Sequence, residues 1–165
     1  MPRRIPLLVL NKAEHVFVLE PTPAALLVDL EGTLTEFNPS PHSVINALAC
    51  FDGVARQNGL DLRLLHYVTN ADLGGFCNLC HEFSARLHLR ACKPFFTPPR
   101  EFQLYGHGTF VVGDQYLTDG LLAWRFGFSF GLVKTSATQP LWPRVQLRVG
   151  QAVSHLFCKL PEPKR

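Results

Sequence analysis

The sequence predicts an α/β fold, a parallel sheet with helices on both faces in three layers. Three observations predict it. Residues 24–30, AALLVDL, form a nearly continuous apolar run between PTP and Gly32, the pattern of a strand buried on both faces. Apolar runs of strand length then alternate with amphipathic segments of helix length, and such alternation needs right-handed crossovers between parallel strands. Polar residues fall where the runs end, and open parallel sheets bind ligands beyond the carboxyl ends of their strands. A chain of 165 residues suits one domain with a sizeable core, spanning residues 1–165.

Each element has its own signal. VFVLE (16–20) has the composition of an edge strand, and the first buried strand runs to Asp29. SPHSVINALACFDGVARQNG follows, with Ser40 as cap, Pro41 in the first turn, and Val44, Ile45, Leu48 and Val54 at helical spacing. This helix ends near Asn58–Gly59. LRLLHYV (62–68) is a second strand ending at Thr69–Asn70, and TNADLGG opens a helix expected to reach about Leu89. A segment around Lys93–Pro94 leads to a brief helix near Pro99–Leu104. TFVVGD (109–114) is a third strand ending at Asp114, and LTDGLLAWRFG a helix with Asp119 in its first turn. GFSFGLVK (127–134) is a fourth strand, and PRVQLRVGQAVSHLF (143–157) a closing helix with Val145, Val149, Val153 and Leu156 on the face expected to dock on the sheet.

Composition narrows the function classes. The net charge of +3 does not argue for nucleic acid. The acids cluster in the first two-thirds, whereas the chain from Lys134 onward holds Arg144, Arg148, Lys159, Lys164 and Arg165 against Glu162 alone. A solvated basic helix face accounts for this, with weak docking to an anionic membrane surface as the alternative. Five cysteines without framework spacing fit a reducing compartment. MPRRIPLLVLNKAEH starts like a signal peptide, but its apolar run stops at Asn11, and no stretch approaches the ~20 apolar residues of a membrane span. A cytoplasmic location is expected, with peripheral membrane contact as the alternative.

DLEGTLTEF (29–37), VTNA (68–71), ACKP (91–94) and VVGDQYLTD (111–119) occur in an order and at spacings that carry a resemblance. They resemble the four motifs of the haloacid-dehalogenase-like hydrolase superfamily. The GDQxxTD form, the Lys93–Pro94 pair and the compact length look most like the YqeG-type subfamily, subfamily IIIA, relatives of phosphatidylglycerophosphate phosphatases. The resemblance covers the chain from about Leu7 to the last helix. It implies a Rossmann-like fold of the haloacid-dehalogenase type and a Mg²⁺-dependent phosphatase. The favoured substrate is then a phosphatidylglycerophosphate-like monoester.

The residue types suit that chemistry. Asp29, at a strand end, can attack phosphorus and form an aspartyl-phosphate, which splits one hard displacement into two easier ones. A polyanionic substrate calls for a hard cation, and Asp29, the backbone carbonyl of Glu31 and Asp114 can supply oxygen ligands, with Asp119 as a further ligand through water or as support. The Thr69 hydroxyl and neighbouring backbone amides at Asn70 can hold phosphate oxygens, and Lys93 adds a cation where negative charge builds up. Glu31 departs from the usual Asp two residues after the nucleophile. It keeps the acid that protonates the leaving oxygen and then activates water, with one extra methylene. The successive intervals, 40 positions from Asp29 to Thr69, 24 on to Lys93 and 21 on to Asp114, leave no room for a separate cap domain. Two other readings stay open: a catalytically impaired descendant kept as a binding or regulatory module, and a phosphatase of a small soluble metabolite or phosphoprotein. An oligomer could supply the missing cover.

Other motifs weigh less. CNLCH (77–81), with Cys92 nearby, has the form of a haem-attachment or zinc string, but it falls in an expected helix and reads as buried or half-buried cysteines. GHG (106–108) is a turn, since no helix follows it. Trp124, Phe126, Phe128 and Phe130 are expected in the core.

Overall fold

The computed structural model describes residues 4–71, 83–135 and 140–159. Among the described residues seven strands form one all-parallel sheet: β1 (Ile5–Leu10), β2 (Ala25–Val28), β3 (Leu65–Val68), β4 (Leu87–His88), β5 (Thr109–Gly113), β6 (Ser129–Val133) and β7 (Cys158–Lys159), in the spatial order β4-β3-β2-β5-β6-β1-β7. The continuous apolar run of β2 is explained by its place inside the sheet. Leu26 and Val28 face one core and Ala25 and Leu27 the other, all at most 1% exposed. The helices are α1 (Pro41–Gln57), α2 (Arg100–Gln103), α3 (Leu121–Phe126) and α4 (Leu141–Val153). Val44, Leu48, Phe51 and Ala55 of α1 fill the first core, while Phe102 of α2 and Leu122 and Ala123 of α3 fill the second. The three-layer α/β arrangement is therefore present. Local signals act where they were read: the Ser40 hydroxyl accepts from the Ser43 amide at 3.2 Å and Pro41 opens α1.

Several expectations change. VFVLE is not an edge strand, because Ala13–Val18 is a 3-10 helix. Its buried residues, Ala13, Val16 and Phe17, recur at helical spacing, while Val18 is 78% exposed. The strand lies upstream, in Ile5–Leu10, between β6 and β7. The helix expected to reach Leu89 does not, since Leu87–His88 is β4, paired in parallel with Tyr67–Val68. Residues 72–82 of that segment lie outside the described residues; just before β4, Arg86 meets Asp52 of α1. The Arg86 guanidinium holds it at 2.6 and 3.0 Å, and the Tyr67 hydroxyl donates to it at 2.6 Å. CNLCH lies outside the described residues, and Cys92 is exposed rather than buried.

The helix after β5 begins as a five-residue π-helical turn, Tyr116–Gly120, which places Asp119 inward before α3 starts. Phe128 and Phe130 are fully buried as expected, but Trp124 is 41% exposed. In α4, Gly150 is buried against Tyr116, and Leu147 and Val153 pack on the second core. Val145, Val149 and Leu156, expected to dock, are instead 41%, 49% and 54% exposed. Among the described residues no helix is long and apolar enough to cross a membrane.

Candidate active site at the carboxyl edge of the sheet

Strand register brings the site together. The Asp29 amide donates to the Val112 carbonyl at 2.8 Å, so pairing with β5 continues one residue past β2. Val28 pairs with Val112 on one side and Tyr67 on the other. Asp29, Asp114 and Thr69 thus leave three adjacent strands at the same edge. Two glycines make room for the acids. A Cβ at Gly113 would lie 2.2 Å from Asp119 Cγ. Gly32 has φ +79°, and a Cβ there would lie 2.5 Å from Asp114 Oδ2. The Thr135 hydroxyl donates to the Gly32 carbonyl and ties this turn to the end of β6.

Lys93 enters from the segment after β4. Its amide donates to Asn70 Oδ1 at 2.6 Å, and its Nζ contacts Asp29 Oδ1 at 2.8 Å and Asp119 Oδ1 at 2.5 Å. Lys93, Asp29, Asp114 and Asp119 are all buried, which removes the plain surface reading for each. Asp29 Oδ1 also accepts from the Leu30 amide at 2.8 Å. Asp119 Oδ2 accepts from the Gln115 amide and the Thr118 hydroxyl, both at 3.3 Å. Thr69 is buried, and its hydroxyl oxygen accepts from the Ala71 amide at 3.1 Å, which leaves the hydroxyl proton able to donate.

Three carboxylates surround one ammonium, and the electrostatics follow. Burial works against the Lys93 charge, yet Asp119 and Asp29 together hold its pKa well above the usual lysine value. Burial pushes Asp29 up; Lys93 opposes this, and Asp119 and Asp114 reinforce it. Burial, then Asp119, raises Asp114 to about 7 against the pull of Gln115 and Lys93. One oxygen from each of Asp29, Asp114 and Asp119 lies within 4.8 Å of the others. This all-oxygen donor set fits a hard divalent cation such as Mg²⁺, which would offset the crowding of negative charge among the three carboxylates.

Glu31 is placed differently. Its Oε1 accepts from the Asn38 amide at 3.1 Å, and its carboxylate is not one of the three clustered acids. Asn70 is exposed and serves, through its side-chain oxygen, to seat the backbone of Lys93. Two residues escaped sequence reasoning. Gln115 donates to Asp114 Oδ2 at 3.2 Å while its own Oε1 is buried without a hydrogen-bond partner, and the Thr33 hydroxyl is buried in the same condition. Their adjacency to Asp114 and Gly32 was the available signal. No protein-family model, curated protein or solved structure matches this chain.

Proposed function

We propose that the chain is a Mg²⁺-dependent phosphomonoester hydrolase of the haloacid-dehalogenase type, without a cap domain, acting through an aspartyl-phosphate at Asp29. The observation that carries this reading is the buried Lys93 bridging Asp29 and Asp119 beside Asp114. Ionised Asp29 attacks phosphorus, forming the new O–P bond as the bond to the leaving oxygen breaks. Glu31 gives its proton to that oxygen. It then takes a proton from the water that hydrolyses the Asp29 ester, releasing phosphate. For this Glu31 must exchange the Asn38 amide for the leaving oxygen. Lys93 and the Thr69 hydroxyl donate to the phosphoryl oxygens where charge develops, and Gln115 steadies Asp114. Mg²⁺, held by Asp29, Asp114 and the Glu31 carbonyl with Asp119 in support, would neutralise the incoming polyanion.

By resemblance the substrate is a phosphatidylglycerophosphate-like monoester, and the open edge suits a bulky one. A small metabolite or a phosphoprotein is the alternative substrate class. The second reading, a non-catalytic binding or regulatory module, is favoured by the hold of Asn38 on Glu31. Phosphate release from an aryl phosphate tests the first reading: it should need Mg²⁺, stop with EDTA and vanish in Asp29→Asn. A wild type silent across a broad phosphomonoester panel, with turnover gained in Glu31→Asp, would establish the module instead.

A further inference from the structure

We propose that α4 and the adjoining carboxyl edge of the sheet form a docking surface for an anionic lipid membrane. The first observation is an apolar stripe left in solvent. Leu141 and Trp142 are 77% and 68% exposed, Val145 and Val149 continue the stripe at helical spacing, and Leu156 is exposed in the 3-10 turn that follows α4. The inner side of α4 is seated by Gly150 against Tyr116, flanked by Leu147 and Val153, so the outer stripe is not needed to hold the helix. Apolar side chains collected on one exposed helical face mark an interaction surface.

Charge selects the occupant. From Gly120 to Pro161 the sequence contains Arg125, Lys134, Arg144, Arg148 and Lys159 and no acid. Arg144 and Arg148 are exposed one turn apart beside the stripe. An apolar face bordered by cations, with tryptophan at one end, is the pattern of a helix lying in the interface of an anionic bilayer. A second copy of the chain is disfavoured, because a twofold contact through α4 would set these arginines against their own equivalents.

Position ties the surface to the site. Gly150 of α4 packs on Tyr116, three residues past the carboxyl end of β5, and Thr135 at that edge is bonded to Gly32 beside Asp114. Docked through α4, the site would lie near the headgroup layer, which would select phosphomonoesters carried on lipids. That consequence rests on the phosphatase reading, whereas the docking itself does not.

The test is sedimentation of the full chain with phosphatidylcholine vesicles, with and without phosphatidylglycerol. Binding is expected with the anionic vesicles alone and should weaken with salt. Arg144→Gln with Arg148→Gln should lower partitioning about 25-fold, at roughly fivefold per basic residue near an anionic surface. Leu141→Ser with Trp142→Ser should lower it tenfold or more, and in a Trp124→Phe background Trp142 emission should shift to the blue on binding. Thermal melts of each variant establish that it is folded. Indifference of the full chain to anionic vesicles overturns the proposal. So do equal binding by folded variants, or a dimer that the stripe variants dissociate. A chain that binds anionic vesicles but never turns over sustains the docking and removes the catalytic reading; an active chain that ignores vesicles does the reverse.

Discussion

Gly32 and Gly113 are the residues on which the acidic site is most finely balanced, because each leaves open the space that a carboxylate occupies. At Gly32, Ala would meet both a left-handed backbone, φ +79°, and Asp114 Oδ2 at 2.5 Å. The expected cost is about 2 kcal/mol, a fall in Tm of roughly 4–8 °C for a chain this long, with loss of phosphate release. Ala at Gly113 would displace the Asp119 carboxylate and separate it from Lys93, so activity should fall further than stability. Thermal melts and single-turnover assays of both variants check this. At this scale the convergence of Asp29, Thr69 and Asp114 was legible, because strand ends can be read from apolar runs, whereas Lys93 was legible only through its motif. The hold of Asn38 on Glu31 and the roles of Gln115 and Thr33 were not. They depend on where a π-helical turn and a tight glycine turn aim side chains, and no periodicity reports that.

Two elements that sequence patterning misassigned are held by side-chain partners distant in the chain. The residues before Leu87 looked helical, but Arg86 is taken by Asp52 and Tyr67, 34 and 19 positions earlier. Asp52 is buried and Arg86 half-buried, so Arg86→Ala leaves an uncompensated carboxylate on α1 and should cost about 2–3 kcal/mol, read from urea unfolding. An equally destabilised Arg86→Lys would show that the planar fork matters more than the charge. VFVLE has the composition of a strand, yet burial of Ala13, Val16 and Phe17 on one side decides for a 3-10 helix. The β3–β4 pair carries a pH dependence of its own. His66 Nδ1 lies 2.9 Å from His88 Nε2, with Phe102 packed edge-on to the His66 ring. Burial, then His88, lowers His66 to about 4; Arg86 adds to the fall, and the Arg63 backbone and Glu101 oppose it. The unfolded chain therefore binds a proton that the folded chain refuses between about pH 6.5 and 4. This stability is complete above that window and is lost as pH falls through it. Tm should drop across the window in wild type and drop less in His66→Gln.

The whole molecule closes around its N-terminal strand. Because β1 lies between β6 and β7, residues near both ends of the described chain meet, with Ile5 opposite Cys158 and Pro6 opposite Lys159. In sequence this strand was obscured by the basic start, MPRRIPLLVL, which reads as the opening of a targeting segment. Only a sheet with a vacancy beside β6 turns that run into structure, and such vacancies are a property of topology. The consequence can be measured. Ile5, Leu7 and Leu10 are at most 4% exposed and reach both cores. At about 1.5–3 kcal/mol each, their loss amounts to roughly 5–9 kcal/mol, comparable with the ~5–15 kcal/mol stability of an ordinary domain. Deleting residues 1–11 also strips the pairing that β6 makes from Leu7 to Leu10. Such a chain should lack a cooperative urea transition. Deleting residues 158–165 removes the short β7 and should lower the midpoint while leaving the transition cooperative. A cooperative transition in the first deletion, followed by far-UV circular dichroism, would show that the remaining strands fold without β1.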